Sequence, residues 1–185
     1  MSWDEAKIRL SGRHGITSNW WRGKGTITVQ EKADILSEDN LDRHLHDYEN
    51  YGDETPFISL TAGAVSRDLL ARRNHDYSAL DTALLFATNN WQQPGAIFHC
   101  WVPVALNPSV EVEFVAEAVR DLLTYRRWSD YQLEGELTAK VHIPASQISH
   151  VDWWDGGISM MRPADTFQNT RYVPPDGVLN LRTWF

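Results

Sequence analysis

Glu134 and Glu136 stand one residue apart in a segment, Leu133 to Ile143, that alternates strictly between apolar and polar positions. On an extended strand, residues i and i+2 share a face, with Cα atoms roughly 6.5 to 7 Å apart. Two carboxylates facing one cleft form an acid–base device, because one stays ionised while its charge raises the pKa of the other. The same pair is also what the wet face of an ordinary surface strand carries. Other chemically capable residues give weaker patterns. His44-x-His46 with Asp47 offers metal-ligating types but no zinc spacing and no clear third ligand. His99, between Phe98 and Cys100, reads as a satisfied strand histidine, and Cys100 as a small core residue rather than a nucleophile.

Several elements must position these groups. Leu133, Gly135, Leu137, Ala139, Val141 and Ile143 form the apolar side of a half-buried strand, with Glu134, Glu136, Thr138, Lys140 and His142 on the polar side. Pro144 ends it, and Ile148 to Trp154 is a further short strand. Phe57 to Thr61 is a short strand after Pro56, and Ala96 to Val104 a strongly apolar, centrally buried one. Residues 1–15 are polar and broken by Gly12 and Gly15, and Trp20 to Val29 alternates as a strand does. The charged stretch Glu31 to Tyr51 holds a helix or two short turns. Tyr77 to Ala87 and Ser109 to about Thr124 carry apolar residues at spacings of three and four and are the two convincing helices. Many short strands with few helices, and no glycine-rich dinucleotide fingerprint, predict an α+β fold.

Length and charge narrow the function. The 185 residues suit one domain over 1–185 with its own core. Net charge is −8 with no continuous basic block, which disfavours general nucleic-acid binding and favours a cationic partner. A single cysteine excludes an intramolecular disulfide and a thiolate metal cluster. No apolar stretch reaches membrane-spanning length, and the N-terminal residues lack a signal-peptide pattern. The expectation is a protein that folds in the cytosol, with delivery by a signal-free route left open.

The run from Glu134 to Ile148 closely resembles, without a gap, the catalytic strand of the cholera and heat-labile enterotoxin enzymes. There a Glu-x-Glu precedes an apolar-small stretch and an Ile-Pro-x-Ser-Gln-Ile segment, here Ile143 to Ile148. Phe57-Ile58-Ser59-Leu60-Thr61 resembles the family's Ser-Thr-Ser strand, and Asn40-Leu41-Asp42-Arg43-His44 its Asn-Leu-x-x-His segment. Trp21-Arg22-Gly23 resembles the aromatic-Arg block of the first strand, with Arg13 as a second candidate for the motif arginine. The chain is thus similar to the mono-ADP-ribosyltransferase toxins, which include the pertussis enzyme.

The resemblance implies a fold of two packed, mostly antiparallel sheets around an NAD cleft, with flanking helices. It implies NAD as co-substrate and an arginine-bearing target protein as acceptor. Arg22, with Gly23 beside it, then binds an NAD phosphate or braces the nicotinamide cleft. Ser59 orients Glu136, Thr61 supports it from the same strand, and His44 takes a structural or nicotinamide-cleft role. Glu136 stabilises the positive charge that develops as the nicotinamide–ribose bond breaks. Glu134 positions the incoming guanidinium and helps remove its proton, and in this family Glu at that position goes with arginine acceptors. Trp128 and Tyr131 lie where related enzymes place acceptor-recognition turns and either stack on a guanidinium or anchor the loop.

The chain departs from the family in three respects. Leu60 replaces the middle threonine, the spacing from Arg22 to Ser59 is short, and the toxins' disulfide and signal peptide have no counterpart. Two other functions stay open on the same fold. One is NAD glycohydrolysis or transfer to a nucleic acid or small molecule, and the other is an inactive interaction platform. An activator, immunity or delivery partner also stays open.

Overall fold

The computed structural model describes residues 1–12, 15–61, 79–102, 116–118, 136–156 and 162–175. The N-terminal segment is helical rather than broken. Helix α1 (Trp3–Ser11) starts at Ser2, whose Oγ accepts the Glu5 N–H while the Glu5 carboxylate accepts the Ser2 N–H at 2.6 Å. This reciprocal cap satisfies amide donors that a helix start leaves open. The Ser-x-x-Glu spacing was the signal for it, and it turns Ala6 and Leu10 into the core.

The strand expected over 20–29 is not formed. Strand β1 (Ile16–Thr17) comes first, and the chain then turns, with Arg22 N–H donating to Asn19 C=O and Lys24 N–H to Trp21 C=O. Gly23 takes a φ of +78° there, and Thr28 with Glu31 builds a second reciprocal cap that starts α2 (Val29–Ile35). Turn and cap together leave no extended run to pair. Helices α3 (Glu38–His46) and α4 (Tyr48–Tyr51) complete the charged 31–51 region, and α5 (Ala79–Ala87) matches its expected helix.

The remaining strands are β2 (Phe57–Thr61), β3 (Gly95–Cys100), β4 (Ala116–Ala118), β5 (Glu136–Lys140), β6 (His142–Ile143), β7 (Ile148–Trp154) and β8 (Asp165–Gln168). They pair antiparallel in the orders β2-β5-β4, β3-β7-β8 and β1-β6, so β7 rather than β3 is central in its described sheet. Strand β4 overturns part of the helix expected over 109–124. Ala116 pairs with Ala139 and Ala118 with Leu137, so tertiary pairing overrides the local spacing of three and four. The rest of that segment lies outside the described residues.

The two larger sheets face each other. Ile58, Leu60 and Ala139 from one, and Ala96, Phe98 and Val151 from the other, join Ala6 and Leu10 in one apolar cluster. On the far side of β2-β5, Phe57 and Val141 pack with Leu36, Leu41 and Leu45 beneath Trp20 and Trp21. On the far side of β3-β7, Ile97 and Trp154 pack against Leu84 of α5. Helices therefore flank two packed antiparallel sheets, an α+β architecture. Among the described residues no helix is long and apolar enough to cross a membrane.

The alternating segment around β5 is not half-wet. Thr138 and Lys140, expected on a polar face, are fully buried. Val141 has a φ of +63°, which breaks the strand between β5 and β6 and carries its side chain to the Phe57 cluster, whereas Ala139 and Ile143 point into the inter-sheet cluster. Its N–H donates to Pro56 C=O at 2.7 Å and its C=O accepts Ser18 N–H at 2.8 Å, bonds that hold this strained conformation. Gly15, at φ +69°, lets β1 approach β6 closely, since a Cβ there would lie 2.1 Å from the Ile143 oxygen.

Candidate active site

Antiparallel register decides which residues of β2 and β5 share a face. Thr61 pairs with Glu136, Ser59 with Thr138 and Phe57 with Lys140, so all six belong to one face by the two-residue period. Glu117 of β4 stands opposite Thr138 at the same level. The apolar residues between, Ile58, Leu60 and Ala139, serve the inter-sheet core. Leu60 is thus packing, as its placement between Ser59 and Thr61 implied. The Oγ1 of Thr138 is buried with no hydrogen-bond partner among the described residues.

His44 ties α3 to this face. Its ring is buried between helix and strand, against Phe57 and Tyr48. Nδ1 lies 2.8 Å from Thr55 Oγ1 and Nε2 lies 3.1 Å from Ser59 Oγ. Thr55 Oγ1 already accepts the Phe57 N–H, so its own proton is available for Nδ1. The Nε2 contact ties the ring to the exposed Ser59 hydroxyl. Burial holds His44 down at about 4, so the ring is neutral near pH 7.

Arg22 is fastened to the fold by a different route. Its turn is fastened to the segment leading into β2 by Trp20 N–H to Thr55 C=O and by Asn19 Nδ2 to Gly52 C=O, and to the end of β5 through Ser18 and Val141. The exposed guanidinium donates to Asn19 Oδ1 at 2.7 Å, and exposed Gly23 follows it. Arg9 of α1 is a cation that the sequence reasoning did not single out. Burial first, and then the charge of Arg22, lowers its pKa, which puts the two guanidinium groups in one neighbourhood. Nothing in the local sequence signals that pairing.

The remaining candidates divide. Glu134, Trp128, Tyr131 and Arg13 lie outside the described residues, and Glu136 is described through its backbone. His46 pairs with Asp42 at 3.0 Å one turn earlier, so His44 and His46 serve different partners and share no ligand point. Cys100 packs in the inter-sheet cluster, and burial pushes its thiol up to about 11, which leaves it inert as a nucleophile. Among the described residues, metal-ligating types do converge at His99, His150 and Asp152, on β3 and β7. Sequence reasoning missed that cluster because His99 is 53 positions from Asp152 and only strand pairing joins it to His150 and Asp152.

No protein-family model matches the sequence, nor does any curated protein. Among solved structures the chain is similar to an arginine-to-lysine mutant of heat-labile enterotoxin, an A-subunit structure described by the flexibility of an active-site loop. Identity is 16% and the TM-score 0.40, covering 94% of this chain and 72% of that one.

Proposed function

We propose that the chain is a mono-ADP-ribosyltransferase that moves ADP-ribose from NAD to an arginine side chain of a target protein and releases nicotinamide. The observation that carries this reading is the β2–β5 register, which sets Thr61 opposite Glu136 on the face where His44 holds Ser59. Segments that resemble three separate blocks of one enzyme family thus meet on a single face. Strand hydroxyls and a neutral imidazole suit a hydroxyl-rich dinucleotide, and the neighbouring Arg9 and Arg22 guanidinium groups are cations suited to its phosphates.

In this reading the Glu136 carboxylate accepts a ribose hydroxyl and stabilises the positive charge that grows as nicotinamide departs. Ser59, held by His44, orients Glu136, and Thr61 supports it from the opposite rung. Arg22, with Gly23 and Arg9, binds phosphate. Glu134 receives the acceptor guanidinium and removes its proton, without which arginine is a poor nucleophile. Trp128 and Tyr131 press on that guanidinium.

The test is nicotinamide release and transfer of labelled ADP-ribose to agmatine or polyarginine by wild type, Glu136→Ala and Glu134→Ala. Glu136→Ala is expected to abolish both, and Glu134→Ala to lose transfer while keeping some release. Normal NAD consumption by Glu136→Ala overturns the mechanism. Equal release with and without acceptor, and no labelled acceptor, replaces transfer with glycohydrolysis.

A further inference from the structure

The antiparallel pairing of β3 with β7 sets His99 directly across from His150, and Asp152 two residues further along the same face of β7. A cross-strand pair and an i, i+2 neighbour are the shortest way for a sheet to point three side chains at one spot. Here they do so. Asp152 Oδ2 lies 3.0 Å from His99 Nε2 and 3.9 Å from His150 Nε2, and one ligand atom from each residue falls within 4.8 Å of the others. Helix α5 covers the Ile97 and Trp154 end of this face. The two imidazoles at the other end stay about one-third exposed, at 36% and 28%, above a carboxylate only 12% exposed.

For His150 and Asp152 the atoms that face away from the shared point are already held. Ser149 Oγ donates to the His99 carbonyl at 3.0 Å, so at 2.7 Å it accepts from His150 Nδ1–H. That fixes the His150 proton on Nδ1 and turns the Nε2 lone pair toward the cluster. Thr166 Oγ1 donates to Asp152 Oδ1 at 2.5 Å and leaves Oδ2 as the shared oxygen. A lone pair aimed at a carboxylate is an arrangement that a cation between them resolves. Partners on the far atoms of histidine and carboxylate ligands are what orient a metal site.

We propose that His99, His150 and Asp152 bind a divalent transition-metal ion of the zinc class, with a fourth position open to solvent. Two imidazoles and one carboxylate are borderline-hard donors suited to such an ion rather than to calcium or magnesium. Bonds of about 2.0 to 2.2 Å place tetrahedral ligand atoms roughly 3.3 Å apart. The rings now stack at 4.0 Å between centroids with 10° between planes. A modest rotation of each partly exposed ring about χ2 closes the three donors onto one ion. The His99 proton that now lies toward Asp152 moves to Nδ1, so the ring stays neutral. The ion joins β3 to β7 side chain to side chain. Its site is on a different sheet from Ser59 and Glu136, and it stands or falls independently of the NAD chemistry.

The experiment is titration of untagged full-length protein with Zn²⁺ by calorimetry, and with Co²⁺ by visible absorption, in wild type, His99→Gln, His150→Gln and Ser149→Ala. Wild type should bind one ion per chain, with a tetrahedral Co²⁺ band. Each histidine variant should lose at least 100-fold in affinity, and Ser149→Ala about 10-fold, because only the ligand's orientation is relaxed. Far-ultraviolet dichroism establishes that each variant is folded, and His46→Gln controls for the remaining histidines by keeping wild-type affinity. The proposal is overturned if wild type binds no ion at millimolar Zn²⁺, or if folded His99→Gln and His150→Gln both bind as wild type does.

Discussion

His44 shows how one side chain couples stability to the candidate site. Its two ring nitrogens are matched to hydroxyls, and burial brings its pKa from 6.5 down to about 4. The unfolded chain therefore takes up this proton first. The stability contribution is fully present above about pH 6.5 and is lost as pH falls toward 4. Between pH 7 and pH 4.5 the wild type should lose roughly 2.5 kcal/mol through this one group. Urea unfolding at the two pH values checks it: in His44→Gln the difference should shrink by about that amount, and an undiminished difference would assign the acid sensitivity elsewhere. Thr138 makes a second prediction at this scale. Its hydroxyl is buried without a partner among the described residues, so Thr138→Val should raise stability by about 1 kcal/mol. On the NAD reading the same change lowers turnover, because the hydroxyl shares the face of Ser59 and Glu136. A destabilised variant would mean that the hydroxyl is satisfied in the folded protein.

Among the elements, the break between β5 and β6 is the most consequential. A β-branched residue in the left-handed region costs about 1 to 2 kcal/mol, and Val141 endures it because its amide and carbonyl are both fastened and its side chain is buried. Val141→Gly should therefore cost about 2 kcal/mol less than Val151→Gly, where the strand is regular and burial as complete. Denaturant midpoints of the two variants decide it, and equal losses would show that the kink stores no strain. This break also explains what the sequence hides. Strict alternation from Leu133 to Ile143 reads as one strand, since valine is the residue type least expected at positive φ. Strands β2 and β7 and helix α5 were legible because local propensity and tertiary environment agree there. Strand β4 was not, because Ala-Glu-Ala becomes a strand only through β5. Helix α1 was legible in its capping spacing and overlooked for its polarity.

At the scale of the whole molecule, the candidate site is assembled by topology from segments that carry little meaning singly. Ser59 and Thr61 are ordinary strand hydroxyls until register sets them beside Glu136, and His44 is an ordinary helix histidine until α3 docks on β2. Their family resemblance was legible in the sequence. The Arg9–Arg22 neighbourhood was not, because an α1 residue meets a distant turn only in three dimensions. The chain as a whole carries a net charge of −8, a field that on the NAD reading attracts a cationic acceptor and repels anionic NAD. Salt screens both, with a Debye length of about 10 Å at 0.1 M and shorter above that. If arginine on a basic protein is the acceptor, raising salt from 50 to 300 mM should lower kcat/KM for polyarginine several-fold, while acceptor-free nicotinamide release holds or rises. Parallel assays of labelled transfer and nicotinamide release measure the two trends. A matching fall in both would, on the same reading, place the salt effect on NAD binding, and would remove the overall negative field as the reason for a basic target.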